Sequence, residues 1–408
     1  MEACSNCCGD CARCERALDC PARLASRRAP ILCSQAGDIG SSRADGGFGF
    51  AADIGSTTLA IALYDLATGR ELAAAGARNP QADISADVIG RVSAAESPEG
   101  LSKLKGILET ALDELISQTC ERSGISPKDL VDGVVAGNAV MLHILTARSP
   151  SSLARAPFKA DWLAGCEENV CGIRAFLAPA TGAFTGADLT CAMIAAGFDA
   201  PGPATLLLDI GTNAEIALRV GSRVYAASTA AGPAFEGAGG GICGTRILEL
   251  MARYVRSGDI APCGTLSSAL SLSGECALSQ ITVSAVQTAK AAVAAGISVM
   301  LEEAGLSAGD IEEIVLAGGF GSFLDAADAI TVGMLPYAPR AKSLSIGNAA
   351  LTGCASILLH PSKRESALDL AARTQVVPLG GDKRFSVRFI DSLPLSPARH
   401  QSAAQRRK

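Results

Sequence analysis

The chain has 408 residues, 49% of them hydrophobic, with a formal net charge of −6. That length and apolar content allow two or three domains with substantial cores, whereas the acidic balance and the absence of any long Lys/Arg run argue against general nucleic-acid binding. No membrane span of about 18 consecutive apolar residues is expected, and the N-terminus MEACSNCCGD lacks the apolar core of a signal peptide, so the expectation is a cytoplasmic protein with no membrane partner.

The N-terminal head comes first. Seven of the 15 cysteines lie within the first 33 residues: Cys4, Cys7, Cys8, Cys11, Cys14, Cys20 and Cys33. In a reducing compartment such a cluster reads as metal ligands more than as disulfides. From Cys8 the spacing is C-x2-C-x2-C-x5-C-P, close to the bacterial ferredoxin run with x3 before its last cysteine. Cys8, Cys11, Cys14 and Cys20 are therefore candidate ligands of one iron–sulfur (4Fe-4S) cluster, and the longer last gap lets Cys4, Cys7 or Cys33 stand in for Cys20. A structural zinc site uses similar cysteine pairs, so zinc is the alternative metal, and a head without metal is the third reading. The stretch SQAGDIGSSRADGGFG that follows reads as a linker, which makes residues 1–47 one unit of cysteine-rich head and linker. The remaining cysteines sit among apolar or small residues, as buried structural cysteines do.

From Phe48 to about residue 200, strands such as FGFAADIG and DGVVAG alternate with a helical pattern in which Leu104, Ile107, Leu108, Leu112 and Leu115 keep one face. DAPGPA at 199–204 is a connection between lobes. Residues 201–400 repeat the scheme with TLLLDIGTNAEIAL, SRVYAAST, a long helix near SAVQTAKAAVAAGISVMLEEAG and the strand and turn EEIVLAGGFGSFLD. Alternating strands and helices predict an α/β class. FAADIGSTTLAIAL at 50–63 and LLLDIGTNAEIAL at 206–218 share one layout, which predicts a duplicated fold with a cleft between its halves.

The two turns suit a polyphosphate held without a basic patch. Gly55 and Gly211 let backbone approach closely, and Ser56, Thr57, Thr58, Thr212 and Asn213 supply polar contacts. Asp53 and Asp209 can hold Mg2+ mostly through water. Taken singly, each is also compatible with an ordinary Asp-Gly hairpin turn. A third turn, VLAGGFG, would leave flat backbone at Gly318 and Gly319 for a planar base. In STAAGPAFEGAGGGICG at 228–244, Gly232 and Glu236 add a small residue and a carboxylate. Glu236 could meet a ribose hydroxyl or simply open a helix. His143, among apolar residues at helical spacing, is expected to be buried and hydrogen-bonded, and neither a Ser/His/Asp set nor a metal-hydrolase histidine pair is present.

These turns resemble those of the actin, sugar-kinase and heat-shock-chaperone (ASKHA) ATPase superfamily, whose members fold as two ribonuclease H-like lobes clasping ATP. More narrowly, the chain resembles the ATP-dependent reductive activators of corrinoid proteins. The residues that carry this are ARNPQADISADVIGRV at 77–92, AGNAVMLHIL at 136–145, DIGTNAEIAL at 209–218, STAAGPAFEGA at 228–238, AKAAVAAGI at 289–297, LAGGFGSFLD at 316–325 and IGNAALTG at 346–353. The resemblance implies that Asp53 to Thr58 form the first phosphate loop, Asp209 to Asn213 the second, and Gly318, Gly319 and Phe320 the adenosine site. Glu215 and Asn138, within matched motifs, become candidates for orienting the attacking water. It also implies reduction of a corrinoid protein of a methyltransferase system from Co(II) to Co(I), powered by ATP with Mg2+, with electrons passing from a low-potential donor through the cysteine head. The assembly can be a homodimer. Two departures stand out: Gly239, Gly240 and Gly241 follow FEGA, and the short head replaces the ferredoxin domain of many relatives. The rival readings are a small-molecule kinase on the same scaffold and a nucleotide-dependent, zinc-binding scaffold protein.

Overall fold

A computed structural model describes residues 39–395 apart from 44, 86, 157, 212, 233, 235–243, 267–277 and 322–323. The cysteine head, with Cys8, Cys11, Cys14 and Cys20, lies outside the described residues, as do Thr212 and Glu236.

Two six-stranded sheets organise the chain. The first half contributes β1 (Phe48–Ile54), β2 (Thr58–Asp65), β3 (Glu71–Arg78), β4 (Leu130–Gly137), β5 (Cys166–Val170) and β6 (Ile173–Leu177), in the order β3-β2-β1-β4-β6-β5. The second contributes β7 (Gly202–Ile210), β8 (Asn213–Gly221), β9 (Arg223–Ala230), β10 (Glu313–Ala317), β11 (Lys342–Ser345) and β12 (Gln375–Val376), in the order β11-β10-β7-β8-β9-β12. Each half opens with an antiparallel three-strand meander, and its first strand then pairs in parallel with the next strand to enter. The shared order of β3-β2-β1-β4-β6 and β9-β8-β7-β10-β11 is the expected duplication, two ribonuclease H-like lobes of α/β class. β1 and β7 are central strands covered on both faces, which is why Phe50 to Ala52 and Leu206 to Leu208 are continuous buried apolar runs.

The predicted helix is found at Pro98–Ser123, started by Ser97, whose side chain accepts from the Gly100 N–H, and ended by Gly124 at φ 70°. Leu104, Leu108, Leu112 and Leu115 are its buried stripe. The Gln280–Ala304 helix is long and apolar enough by average hydropathy to cross a membrane, although polar residues such as Gln287, Thr288 and Lys290 interrupt it. Its apolarity has another cause: Val283, Val286, Val293, Ile297 and Met300 are buried in the core of the second lobe.

The lobes are interlaced. After β11 the chain returns to the first lobe, where Leu351, Cys354, Ile357, Leu358 and Leu370 join the core built by β1, β2 and β4. The Ala349–Leu359 helix crosses the Ala187–Ala195 helix. At the crossing, a Cβ on Gly353 would collide with the Cys191 carbonyl, so only glycine permits this approach.

The stretch read as a linker is docked from residue 41 onward. The Ser42 N–H donates to the Leu359 carbonyl at 3.1 Å, and Ser41 Oγ donates to Leu66 O at 2.6 Å. Arg43 Nη1 and Arg364 Nη2 both donate to Asp132 Oδ2 at 2.7 Å, and the Arg43 and Asp132 side chains are 6% and 3% exposed. A sequence of Gly, Ser and Asp does not disclose that its one arginine meets a buried carboxylate from β4. Removing residues 1–38 should therefore leave thermal unfolding of the core unchanged. Arg43→Ala should lower stability by about 1–3 kcal/mol, since a buried charged acceptor loses one of its donors.

Candidate functional site

The site forms where strands of both sheets end. In the first phosphate loop the Gly55 N–H donates to the Thr58 carbonyl at 2.9 Å, and a Cβ on Gly55 would stand 2.7 Å from that oxygen. Fully buried side chains brace the loop from behind. Asn79 Nδ2 donates to Gly55 O at 2.9 Å and Arg91 Nη2 to Ser56 O at 2.6 Å. These two residues explain why the 77–92 motif accompanies the loop. In the second loop the Gly211 N–H donates to Asn213 O at 2.8 Å.

Ser56, Thr57, Asn138, Asn213 and Glu215 line one cavity of about 450 Å³, together with Asp188, Ser228 and an apolar wall that includes Val88, Ile89, Val140, Phe158 and Phe184. Asn138 caps the Ala139–Leu145 helix through the Met141 N–H at 3.0 Å and donates to Ser56 Oγ at 2.9 Å. Asp53 and Asp209, each one residue before the end of β1 and β7, are not among the residues that line this cavity. Asp53 Oδ2 accepts from Asn348 Nδ2 at 3.0 Å. Asp209 pairs across the ladder with Glu215 and is next to Ala317 of β10. Gly318, at φ +78°, brings its backbone so close that a Cβ would strike Asp209 Oδ1.

The expected flat backbone at Gly318 and Gly319 is instead a helical turn, Gly318–Gly321. Gly319 is exposed on it, and Phe320 is buried in the second-lobe core. Gly232 takes a left-handed φ of 75° just after β9, and Thr58 begins β2. His143 is buried, with Nδ1 2.7 Å from the Ala139 carbonyl, as its apolar helix implied.

Asp188 escaped the reading of the sequence. It lies in the first turn of the Ala187–Ala195 helix after β6, whose N-cap is Gly186, while Asn348 caps the corresponding Ala349–Leu359 helix after β11 in the other half. No Asp-Gly turn marks it. The repeated Gly-Asn-Ala at 137–139 and 347–349 could have flagged Asn348.

The electrostatics of this corner are those of crowded carboxylates. Burial, then Asp188, pushes Asp53 up to about 7, while the Asn348 hydrogen bond pulls the other way. Burial, then Asp53 and Asp188, pushes Asp209 up to about 7. Burial raises Asp188 to about 6, and burial with Asp188 and Asp209 raises Glu215 well above the ordinary range. Among the described residues, no lysine or arginine lines the cavity. Among the described residues no three His, Cys, Asp or Glu side chains converge tightly enough to cage a metal. Carboxylates that raise one another's pKa, yet do not form a cage of three, fit Mg2+, which keeps several waters and binds through one or two carboxylates plus substrate phosphates.

A pH dependence follows. A carboxyl whose folded pKa is raised binds protons more tightly folded than unfolded, so its stabilising contribution is fully present below the unfolded value and is lost as pH rises through the folded one. Without Mg2+ the wild type should lose thermal stability relative to Asp209→Asn as pH rises from about 4 to about 7. A pH-independent difference between the two would contradict this environment for Asp209.

Residues 48–201 match the family model described as the RACo middle region, and residues 203–240 and 238–405 match that of the C-terminal, ASKHA domain of RACo. The chain belongs to the RACo family. Within it, the corrinoid activation enzyme RamQ of Eubacterium limosum is 32% identical over 409 residues, covering 83% of this chain and 68% of RamQ. A [Co(II) methylated amine-specific corrinoid protein] reductase of Methanosarcina barkeri is 25% identical over 243 residues, 46% of this chain and 45% of that one. A solved reductive activator for corrinoid, iron–sulfur protein superposes with a TM-score of 0.78 at 27% identity, covering 87% of this chain and 67% of its own. The RACo assignment agrees with the resemblance carried by the motifs.

Proposed function

We propose that this RACo-family chain is an ATP-dependent reductive activase that returns an oxidised corrinoid protein from Co(II) to Co(I). The observation that supports the reading is the match of both lobes to RACo, together with a cavity lined by Ser56, Thr57 and Asn213 of the two duplicated turns and by Asp188 and Glu215. The cobalt couple lies below common donors, so the electron transfer needs an energy source.

In this reading the Gly55 and Gly211 loops hold the phosphates of ATP, with Ser56, Thr57 and Asn213 as polar contacts. Asp53 and Asp209 hold Mg2+, which when bound neutralises phosphate charge. Asn348 fixes the Asp53 carboxylate for that task. Asp188, with Asn138 and Glu215 on the same cavity, orients the attacking water, and burial, which raises its carboxyl to about 6, suits it to accept the proton. Closure of the lobes changes affinity for the corrinoid protein, which couples nucleotide to electron transfer. Electrons enter from a low-potential donor through an iron–sulfur cluster held by Cys8, Cys11, Cys14 and Cys20, in a cytoplasmic protein that can be a homodimer. Against the kinase reading, the wall beside the phosphate loops is mainly apolar, poorly suited to the hydroxyl-rich acceptor of a sugar kinase.

The test is the Co(I) absorbance band under anaerobic conditions, with a strong reductant and candidate corrinoid proteins. Co(I) should accumulate with Mg·ATP and not without it. Equal yields in both conditions would overturn the proposal, and ATP turnover raised by a sugar but not by any corrinoid protein would favour the kinase.

A further inference from the structure

The two helices that cross between the lobes carry matching segments, Leu189-Thr190-Cys191 and Leu351-Thr352-Gly353-Cys354. Both cysteines are free and fully buried, and their sulfurs lie 3.6 Å apart. Gly353 creates this proximity by letting its helix rest on the Cys191 carbonyl. Disulfide formation needs a sulfur separation of about 2 Å, which the pair must reach from 3.6 Å. One helix carries Asp188 in its first turn. The other begins with Asn348, which holds Asp53.

We propose that Cys191 and Cys354 are an oxidation site, where a disulfide ties the crossing helices together and arrests lobe movement. The oxidant class is a peroxide small enough to enter when the helices part. One thiol attacks hydrogen peroxide, giving a sulfenic acid and water; the second displaces the sulfenic oxygen, giving the disulfide and a second water. Both thiol hydrogens leave in water, and the two electrons reduce the peroxide. Dithiothreitol reverses the step by thiol–disulfide exchange, becoming oxidised itself. The pair is shielded here, because both cysteines are out of solvent and the Cys354 thiol also donates to the Ala52 carbonyl at 3.4 Å. Oxidation therefore depends on the helices separating, and a nucleotide that holds the lobes together protects the pair.

The effect on ATP turnover rests on the activase reading; the cross-link itself does not. Full-length protein is treated with hydrogen peroxide, with and without Mg·ATP, then alkylated under denaturing conditions and digested. The expected result is one linked species joining the Cys191 and Cys354 peptides, two hydrogens lighter than their sum, which forms more slowly with Mg·ATP. Turnover should fall to background and return with dithiothreitol, while Cys191→Ala and Cys354→Ala retain it through the same treatment. Separately alkylated Cys191 and Cys354 peptides from inactivated protein would overturn the proposal, as would equal loss of turnover in the alanine variants. A chain that cross-links but never hydrolyses ATP would instead refute the activase reading alone.

Discussion

Asp209→Asn is expected to leave the protein folded and to lower Mg·ATP turnover by roughly 100- to 1,000-fold, the range seen when one electrostatic group of a preorganised site is removed. The amide keeps the shape of the carboxylate at the end of β7 and still clears the Gly318 backbone. What it loses is a negative charge beside Asp53, Asp188 and Glu215. Asp53→Asn should act in the same direction, because its turn is the counterpart in the other lobe. Asp188→Asn should separate binding from chemistry, with nucleotide affinity largely kept and turnover lost. Calorimetric binding of Mg·ATP and phosphate release, measured on all three, distinguish these outcomes. Wild-type turnover by both Asp53→Asn and Asp209→Asn would end the two-loop site.

The second large effect concerns electrons. Replacing Cys11 and Cys14 together by Ser should abolish Co(I) formation, since hydroxyls are poor ligands for iron or zinc at such sites, and should leave ATP turnover intact. Asp209→Asn should give the converse, a head that still takes up reductant and a core that no longer drives the transfer. Iron and sulfide analysis of anaerobically purified protein accompanies both. A zinc-filled head without a redox signal would support the scaffold reading in place of electron entry.

Much of the architecture was legible because strand and helix periodicities differ and because the Asp-Ile-Gly layout occurs twice. What escaped has a common physical origin in contacts between residues distant along the chain. Asp188 looks like any acid near a helix start; only the fold brings it within electrostatic reach of Asp53, Asp209 and Glu215. Asn348 lies 295 residues from the carboxylate it holds. Arg43 sits in a stretch composed like a linker, yet a buried aspartate on β4 anchors it. The Gln280–Ala304 helix is apolar enough for lipid only because protein surrounds it. At Gly318 local reasoning predicted flat backbone, whereas the chain turns there into a short helix against Asp209.

The interlacing of the lobes bears on how the chain is made. The first lobe's core needs Leu351, Ile357, Leu358 and Leu370, residues that leave the ribosome long after β1 to β6. The portion synthesised first is thus completed nearly last, and its sheet must wait with an uncovered apolar face while the second lobe emerges. Domains that fold one after another during synthesis avoid such exposure; this protein cannot. Chaperone contact during translation should concentrate on nascent chains that already carry β6 but still lack residue 359, and release should follow once the last crossing helix arrives.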